Sequence, residues 1–278
     1  MARAQRRAPR LVTLASDVGW AYAAQMKAVL LRTLSAGRVV DLAHDLPAHA
    51  IGEAAFIVRA MARSFPAGTV HVVVVDPGVG GRRAPIVVEC SDGSRLVGPD
   101  NGVLFPLAKE LGAPRAYRID PGRLGLTTRV GTTFDGRDLF APAAAKLAEG
   151  TPPSRLGPPI ALHRYAVPEP RYFGRAARGE VVHVDRFGNL ITNIPTAWVP
   201  PRTRRLIVSV ARHRSRTLPW ATSYEALGPA LLGAIGSSFG TVELARNRGR
   251  AADRWRARVG HLVQLRWASA PRAGPDRK

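Results

Sequence analysis

Cysteine is nearly absent. Cys90 is the one thiol in 278 residues, so the chain can form neither an internal disulfide nor a multi-cysteine metal framework. Its place after Ile86-Val87-Val88 reads as a buried strand end. Long apolar runs are also missing: the stretch after the basic segment Met1 to Arg10 is broken by Asp17, and nothing approaches the roughly 20 apolar residues of a membrane-spanning helix. The seven histidines fall in no HExxH or Cys/His pattern. These absences argue against a disulfide-stapled secreted scaffold, a transmembrane helix bundle and a recognisable metal centre. The expectation is a cytoplasmic protein, without metal, long enough to bury its own core.

Lysine is scarce, with four among the 41 basic residues, and the net charge of +21 is therefore carried by arginine. Such an excess raises the possibility of nucleic-acid binding. The arginines are dispersed, however, with local clusters at Arg202-Arg204-Arg205, at Arg212-Arg214-Arg216 and between Arg246 and Arg258. Neither zinc-finger spacing nor the aromatic signature of an RNA-recognition sheet accompanies them. Charge alone supports non-specific polyanion binding at low salt and nothing finer.

Periodicity divides the chain in two. Strand candidates at Leu11 to Ser16, Arg38 to Ala43 and Thr69 to Val75 alternate with helix candidates at Tyr22 to Thr33 and Ile51 to Ser64. A hairpin is expected where Ser91-Asp92-Gly93 separates Ala84 to Cys90 from Ser94 to Val97. Helices at Val103 to Leu111 and Leu139 to Glu149 flank a strand near Ala116 to Ile119. This is the alternation of an α/β domain with a central, mostly parallel sheet, and it is placed at residues 9–165. Proline-rich, irregular sequence follows, and a linker is expected at 166–178. Short strands at Glu180 to Val184, Arg205 to Val210, Thr241 to Leu244 and Leu262 to Trp267 then predict a smaller, mainly β, barrel-like domain at 179–268. Residues 1–8 and 269–278 are expected to be disordered tails.

The stretch Val74-Val75-Asp76-Pro77-Gly78-Val79-Gly80-Gly81-Arg82-Arg83 runs from a buried strand into a sharp turn carrying a carboxylate and a guanidinium. In open α/β sheets ligands bind outside the carboxyl ends of the strands, where Asp76 would lie. A turn-capping Asp beside a solvated arginine pair is the competing reading.

Further polar turns recur along the chain: Ser16-Asp17-Val18-Gly19, Pro99-Asp100-Asn101-Gly102, Thr133-Phe134-Asp135-Gly136-Arg137-Asp138 with Phe140-Ala141-Pro142, Asp185-Arg186-Phe187-Gly188-Asn189, and Gly236-Ser237-Ser238 followed by Glu243-Leu244-Ala245-Arg246-Asn247. In order and spacing, over about Leu11 to Trp267, they resemble the adenosine-forming S-adenosylmethionine hydrolases of the fluorinase and chlorinase superfamily. The resemblance implies an α/β N-terminal and a β-rich C-terminal domain, a homotrimer with its site at a subunit interface, no cofactor, and S-adenosyl-L-methionine as substrate. The implied reaction is attack of water at ribose C5′. By matching position, Asp76 would accept the proton of that water, and Arg83 would fix and polarise its oxygen.

Two features depart from the family pattern. The hydrolases it resembles carry His where this chain has Asp135, which leaves Asp135 as either a water-positioning carboxylate or a plain helix N-cap. The loop after Asp17 also lacks the family's second acidic residue. Asp17 matches the ligand of the ribose hydroxyls, with an N-cap or Asx-turn role as the alternative. His49 falls where relatives place an aromatic or His beside ribose and methionine, with a plain surface histidine ahead of a helix as the alternative, and Asn101 in the neighbouring turn is a further binding candidate. In the C-terminal domain Asp185 and Asn189 match residues holding the methionine amino group and the nucleoside, and Ser238 one contacting the methionine carboxylate. Tyr224 sits where relatives stack an aromatic on adenine, and Arg246-Asn247 lie by the adenine edge. Tyr224 as a core aromatic and Arg246 as a solvated charge are the plainer readings. Within the superfamily the rival activity is halogenation, against which the Asp76 carboxylate argues because it repels halide. A sensor that binds ligand and turns over poorly, and a basic nucleic-acid-binding protein, complete the alternatives.

Overall fold

A computed structural model describes residues 10–125, 131 and 133–267. The expected tails at 1–8 and 269–278 lie outside the described residues. The chain forms two compact units, Met1–Ala166 and Val167–Lys278.

The first unit runs β1 (Leu11–Ser16), α1 (Gly19–Thr33), β2 (Arg38–Ala43), α2 (Ile51–Ala62), β3 (Val70–Val74), β4 (Pro85–Glu89), β5 (Arg95–Pro99), α3 (Phe105–Leu111), β6 (Arg115–Arg118), α4 (Ala141–Ala148), α5 (Pro153–Leu156) and β7 (Pro159–Ile160). Its seven strands form one sheet in the order β2-β1-β3-β5-β4-β6-β7. Pairing is parallel from β2 through β5 and antiparallel beyond, so the parallel character sits in one half of the sheet. The antiparallel half begins with the expected hairpin, where Gly93 takes φ +84° and Asp92 accepts the Ser94 N–H at 2.8 Å.

Both faces of the parallel half are buried, which is why β3 reads as an unbroken Val/His run rather than an alternation. Val70, Val72 and Val74 pack with α1 and α4 residues such as Met26, Leu30 and Ala144. Val73 and Val75 pack on the opposite face with Ala54, Val58 and Leu107 from α2 and α3. With helices covering the sheet on both sides, polar side chains gather in the row of turns at the C-terminal ends of β1, β3 and β5.

The second unit runs β8 (Arg171–Tyr172), β9 (Ala176–Val184), β10 (Leu190–Pro195), β11 (Arg205–Val210), β12 (Arg216–Ala221), β13 (Leu232–Gly236), β14 (Thr241–Arg246), α6 (Ala251–Trp255) and β15 (Leu262–Arg266). Strand structure therefore enters the stretch read as a linker, since β8 pairs with the start of β9. The order β10-β14-β13-β12-β11-β15-β9 returns on itself because β9 also pairs with β10, closing a seven-stranded barrel. Its interior is filled by alternate residues such as Val181, Leu206, Val208, Val242, Leu244 and Val263, with Trp255 of α6 packed among them.

Candidate active site

Three parallel strands bring three sequence-predicted residues to one sheet edge. Asp17 follows β1 and its N–H donates to the Val74 carbonyl of β3 at 3.2 Å. Asp76 follows β3. Asn101 follows β5, donates through Nδ2 to the Val75 carbonyl at 2.8 Å, and accepts the Val103 N–H at 3.2 Å. Asn101 thereby ties the β5 turn to the strand end that delivers Asp76.

Between Asp76 and Arg83 the chain folds back through two tight turns, Val79 N–H to the Asp76 carbonyl at 3.2 Å and Gly81 N–H to the Gly78 carbonyl at 2.9 Å. Gly80 takes φ +74°, and a Cβ on Gly78 would stand 3.3 Å from Arg83 Cγ. The glycines let the arginine return over its own turn. Arg83 Nε donates to both Asp76 oxygens at 3.0 Å, and Nη2 donates to Asp76 Oδ2 and Asp135 Oδ2 at 2.5 Å each. Both carboxylate side chains are 5 % exposed and the guanidinium 11 %. The guanidinium also lies over the Phe140 ring, 5.6 Å from its centroid. Nη1 donates to none of the described residues. A cavity of about 840 Å³ opens beside this bridge, with Arg82, Arg83, Arg118, Asp120 and Asp135 in its lining. Asp135 makes no side-chain cap hydrogen bond to the helical turn that follows it, so the cap reading is replaced by an ion pair. Arg83 likewise is not one of a solvated pair, although Arg82 is exposed.

Asp17 does not cap α1, whose N-cap residue is Val18 and has no side-chain cap bond. Its Oδ2 accepts the backbone N–H of His49 at 3.0 Å, and His49 holds the left-handed backbone, φ 62°. A partly buried chain of polar side chains supports this contact. Ser16 Oγ lies 2.8 Å from His44 Nδ1, His44 Nε2 lies 3.1 Å from Asp41 Oδ1, and Lys27 pairs with Asp41. The His44 carbonyl accepts the Gly19 N–H at 3.0 Å, and the Ser16 carbonyl accepts the Leu46 N–H at 3.2 Å. The Asp17 turn and the loop carrying His49 are therefore stitched together on both sides of Asp17. Against the cost of burial, the Lys27 and His44 bonds hold the Asp41 carboxyl below its ordinary range.

In the second unit, Asp185 closes its own turn. Oδ1 accepts the N–H groups of Phe187 and Asn189 at 2.9 and 2.8 Å, and Oδ2 accepts Asn189 Nδ2 at 2.9 Å. Arg246 and Asn247 are pinned to the connection between β12 and β13: Arg246 Nε donates to the Ala230 carbonyl, and the Asn247 backbone exchanges bonds with Ala230 and Leu231. Tyr224 belongs to the same connection and is 46 % exposed, so it is not a core aromatic. Its hydroxyl donates to Oε1 of Glu243 at 2.7 Å. Glu243 is 3 % exposed; in the sequence it opens the run that ends at Arg246-Asn247 but is given no role of its own. Burial raises its carboxyl, the Tyr224 bond opposes that, and Asp185 adds to the rise. Burial, then the Glu243 bond, raises the Tyr224 phenol in turn. Ser238 stands apart, on the exposed turn at the other end of β14, and makes no side-chain hydrogen bond within the described residues.

Among the described residues no group of three or more His, Cys, Asp or Glu side chains could hold a metal ion, and no helix is long and apolar enough to cross a membrane. Fold and site together define a class: an α/β unit with a carboxylate–guanidinium–carboxylate corner at its strand mouths, followed by a closed β-barrel unit. Residues 12–157 match the model of the SAM hydroxide adenosyltransferase N-terminal domain, and residues 179–264 match that of its C-terminal domain. This chain belongs to the SAM hydroxide adenosyltransferase family. It is 38 % identical to the (R)-S-adenosyl-L-methionine hydrolase of Thermus thermophilus, over 92 % of this chain and 99 % of that protein. With the hydrolase of the same name from Salinispora tropica it shares 36 % identity, over 87 % of this chain and 92 % of the relative. A crystal structure of an uncharacterised conserved protein from Thermotoga maritima superposes with a TM-score of 0.84 at 29 % identity, covering 92 % of this chain and 99 % of that one. Proteins named fluorinase match at 25 % to 26 %.

Proposed function

We propose that this chain hydrolyses S-adenosyl-L-methionine to adenosine and L-methionine. The observation that carries the chemistry is the Arg83 guanidinium shared by Asp76 and Asp135 at 2.5 Å, with Nη1 left without a protein acceptor among the described residues. In this reading Arg83 fixes and polarises the oxygen of a water molecule beside Asp76. As that oxygen attacks ribose C5′, its proton passes to Asp76, the C5′–S bond breaks, and the electron pair of that bond returns to sulfur to give the thioether of methionine. Asp135 orients Arg83 and the water. A carboxylate at this corner favours a sulfonium ligand and disfavours a halide nucleophile.

In the same proposal Asp17 accepts bonds from the ribose hydroxyls beside His49, and Asn101 keeps the Asp76 turn in place. Asp185, with Asn189, receives the methionine ammonium and the nucleoside, since a carboxylate with two oxygens has acceptor sites beyond those its own turn occupies. Ser238 serves the methionine carboxylate, Tyr224 stacks on adenine, and Arg246-Asn247 line its edge. We place the working enzyme in the cytoplasm as a homotrimer that uses no cofactor, with each site completed by a neighbouring copy. Nucleic acid is bound non-specifically at most.

Incubation with S-adenosyl-L-methionine, with and without chloride, followed by product identification tests the reading. Adenosine and methionine in both mixtures are expected. A 5′-chloro nucleoside would refute hydrolysis as the activity, and binding to DNA or RNA that survives physiological salt with no adenosine formed would move the function to another class. The mass measured by light scattering should correspond to three chains.

A further inference from the structure

Glu243 lies on β14 between Val242 and Leu244, both of which point into the barrel core. Alternation along a strand directs the Glu243 side chain to the outside of the barrel, where a carboxylate would ordinarily be solvated. It is nevertheless 3 % exposed, and Tyr224 of the connection between β12 and β13 reaches it through a hydrogen bond. That connection contains a single 3-10 turn, Glu225–Leu227, with Tyr224 at its N-cap, and is fastened through Leu227, which packs in a small satellite cluster with Ile235 and Ala245. At the Tyr224 end, the bond from the phenol to Glu243 Oε1 is the one side-chain hydrogen bond that Tyr224 makes among the described residues.

No cation pairs with Glu243 among the described residues, and its Oε2 accepts no hydrogen bond from them. A buried carboxylate without a counter-charge is a poor stabiliser, and an apolar side chain would serve packing better. Such groups concentrate at functional sites. The hydroxyl of Tyr224 is held inward while 46 % of the residue remains exposed, so the ring is presented to solvent at an angle set from its buried end.

We propose that Glu243 is a positioning residue for the nucleoside: by holding the Tyr224 hydroxyl it fixes the ring against which the purine stacks. This rests on the stacking role given to Tyr224 above. Glu243 touches no reacting atom, so its removal weakens binding and leaves the chemical step alone.

Four full-length proteins test this: Glu243→Ala, Glu243→Gln, Tyr224→Phe and the double variant Glu243→Ala/Tyr224→Phe, each compared with wild type for KM and kcat on S-adenosyl-L-methionine and for adenosine affinity by calorimetry. Glu243→Ala should raise KM about tenfold, within the range of a base-stacking contact, with kcat within about twofold. Tyr224→Phe should match it, the double variant should be no worse than either, and Glu243→Gln, which keeps an acceptor oxygen, should stay within about threefold of wild type. An unchanged KM in Glu243→Ala overturns the proposal. So does a loss from Glu243→Ala that is as large in the Tyr224→Phe protein as in wild type, since Glu243 would then act independently of Tyr224. If wild type releases no adenosine from S-adenosyl-L-methionine, the hydrolase reading fails by itself, and adenosine affinity across the same proteins still decides the role of Glu243. A wild type that binds no adenosine overturns both.

Discussion

Asp76 and Asp135 share a single nitrogen, Arg83 Nη2, which stands 2.5 Å from an oxygen of each. Neither carboxylate has water enough around it to be screened, both being 5 % exposed, so the guanidinium is what allows two negative charges to occupy one corner.

Removing that guanidinium should therefore cost stability as well as activity. Arg83→Met takes the shared cation from two buried carboxylates and should destabilise the fold by about 3 to 5 kcal/mol, read by denaturant unfolding at neutral pH. Arg83→Lys supplies a charge without the planar fork and should recover part of the stability but little of the turnover. Equal stability of wild type and Arg83→Met would show that the bridge is solvated in solution.

Asp76→Asn should separate chemistry from binding. The amide keeps the size of the side chain but cannot take the proton, so single-turnover adenosine formation should fall about 10²- to 10⁴-fold while ligand affinity stays within a few-fold. Asp135→Asn should cost less, and Asp135→His, the residue that the family resemblance implies at this place, should turn over at least as fast as wild type. Full activity in Asp76→Asn would refute its role as base.

The Asp17–His49 contact should depend on a residue that need not touch substrate. His44→Leu removes the partner of buried Ser16 Oγ and of part-buried Asp41 Oδ1. A loss of about 3 kcal/mol in stability and a higher KM with kcat nearly unchanged are expected. A fall in kcat alone would point instead to a role in the chemical step.

Acid sensitivity should come partly from the centre of the sheet. His71 is 2 % exposed on β3 with Nδ1 2.8 Å from Thr13 Oγ1, and burial lowers it from 6.5 to about 4, with a small opposing effect of Asp92. Between these values the unfolded chain takes up a proton that the native chain refuses. The stability associated with neutral His71 is complete above about pH 6.5 and drains away as pH falls to about 4, by at most about 3 kcal/mol. His71→Gln lacks this titration, so the stability difference between wild type and variant should move by that amount between pH 7 and pH 4. A constant difference would place the acid transition elsewhere.

Much of this was readable in the chain. β1, β2 and β3 stand where the apolar runs end at polar turns, and the Asp76 turn announces itself because Pro and Gly permit little else. β10, β12 and β13 were not legible as strands. β12 contains Pro219, β13 carries Gly233 and Gly236 in five residues, and β10 ends in Thr192-Asn193-Ile194-Pro195, so each depends on barrel closure rather than local preference. The same limit hid Glu243 and His44. A buried acid and a buried histidine acquire meaning from the groups that meet them, Tyr224 in one case and Ser16 with Asp41 in the other, and no local pattern pairs those residues.

Between Asp135 and α4 the residues Gly136–Phe140 form a π-helical turn, closed by the Ala141 N–H on the Gly136 carbonyl. One residue more than an α-helical turn is accommodated there. α4 must keep Ala141, Ala144, Ala145 and Leu147 against the sheet, and without the surplus residue that requirement would rotate Asp135 by about 100°. The wide turn acts as a shim that sets the angle at which Asp135 meets Arg83, and a one-residue deletion there should disarm the corner while leaving α4 packed on the sheet.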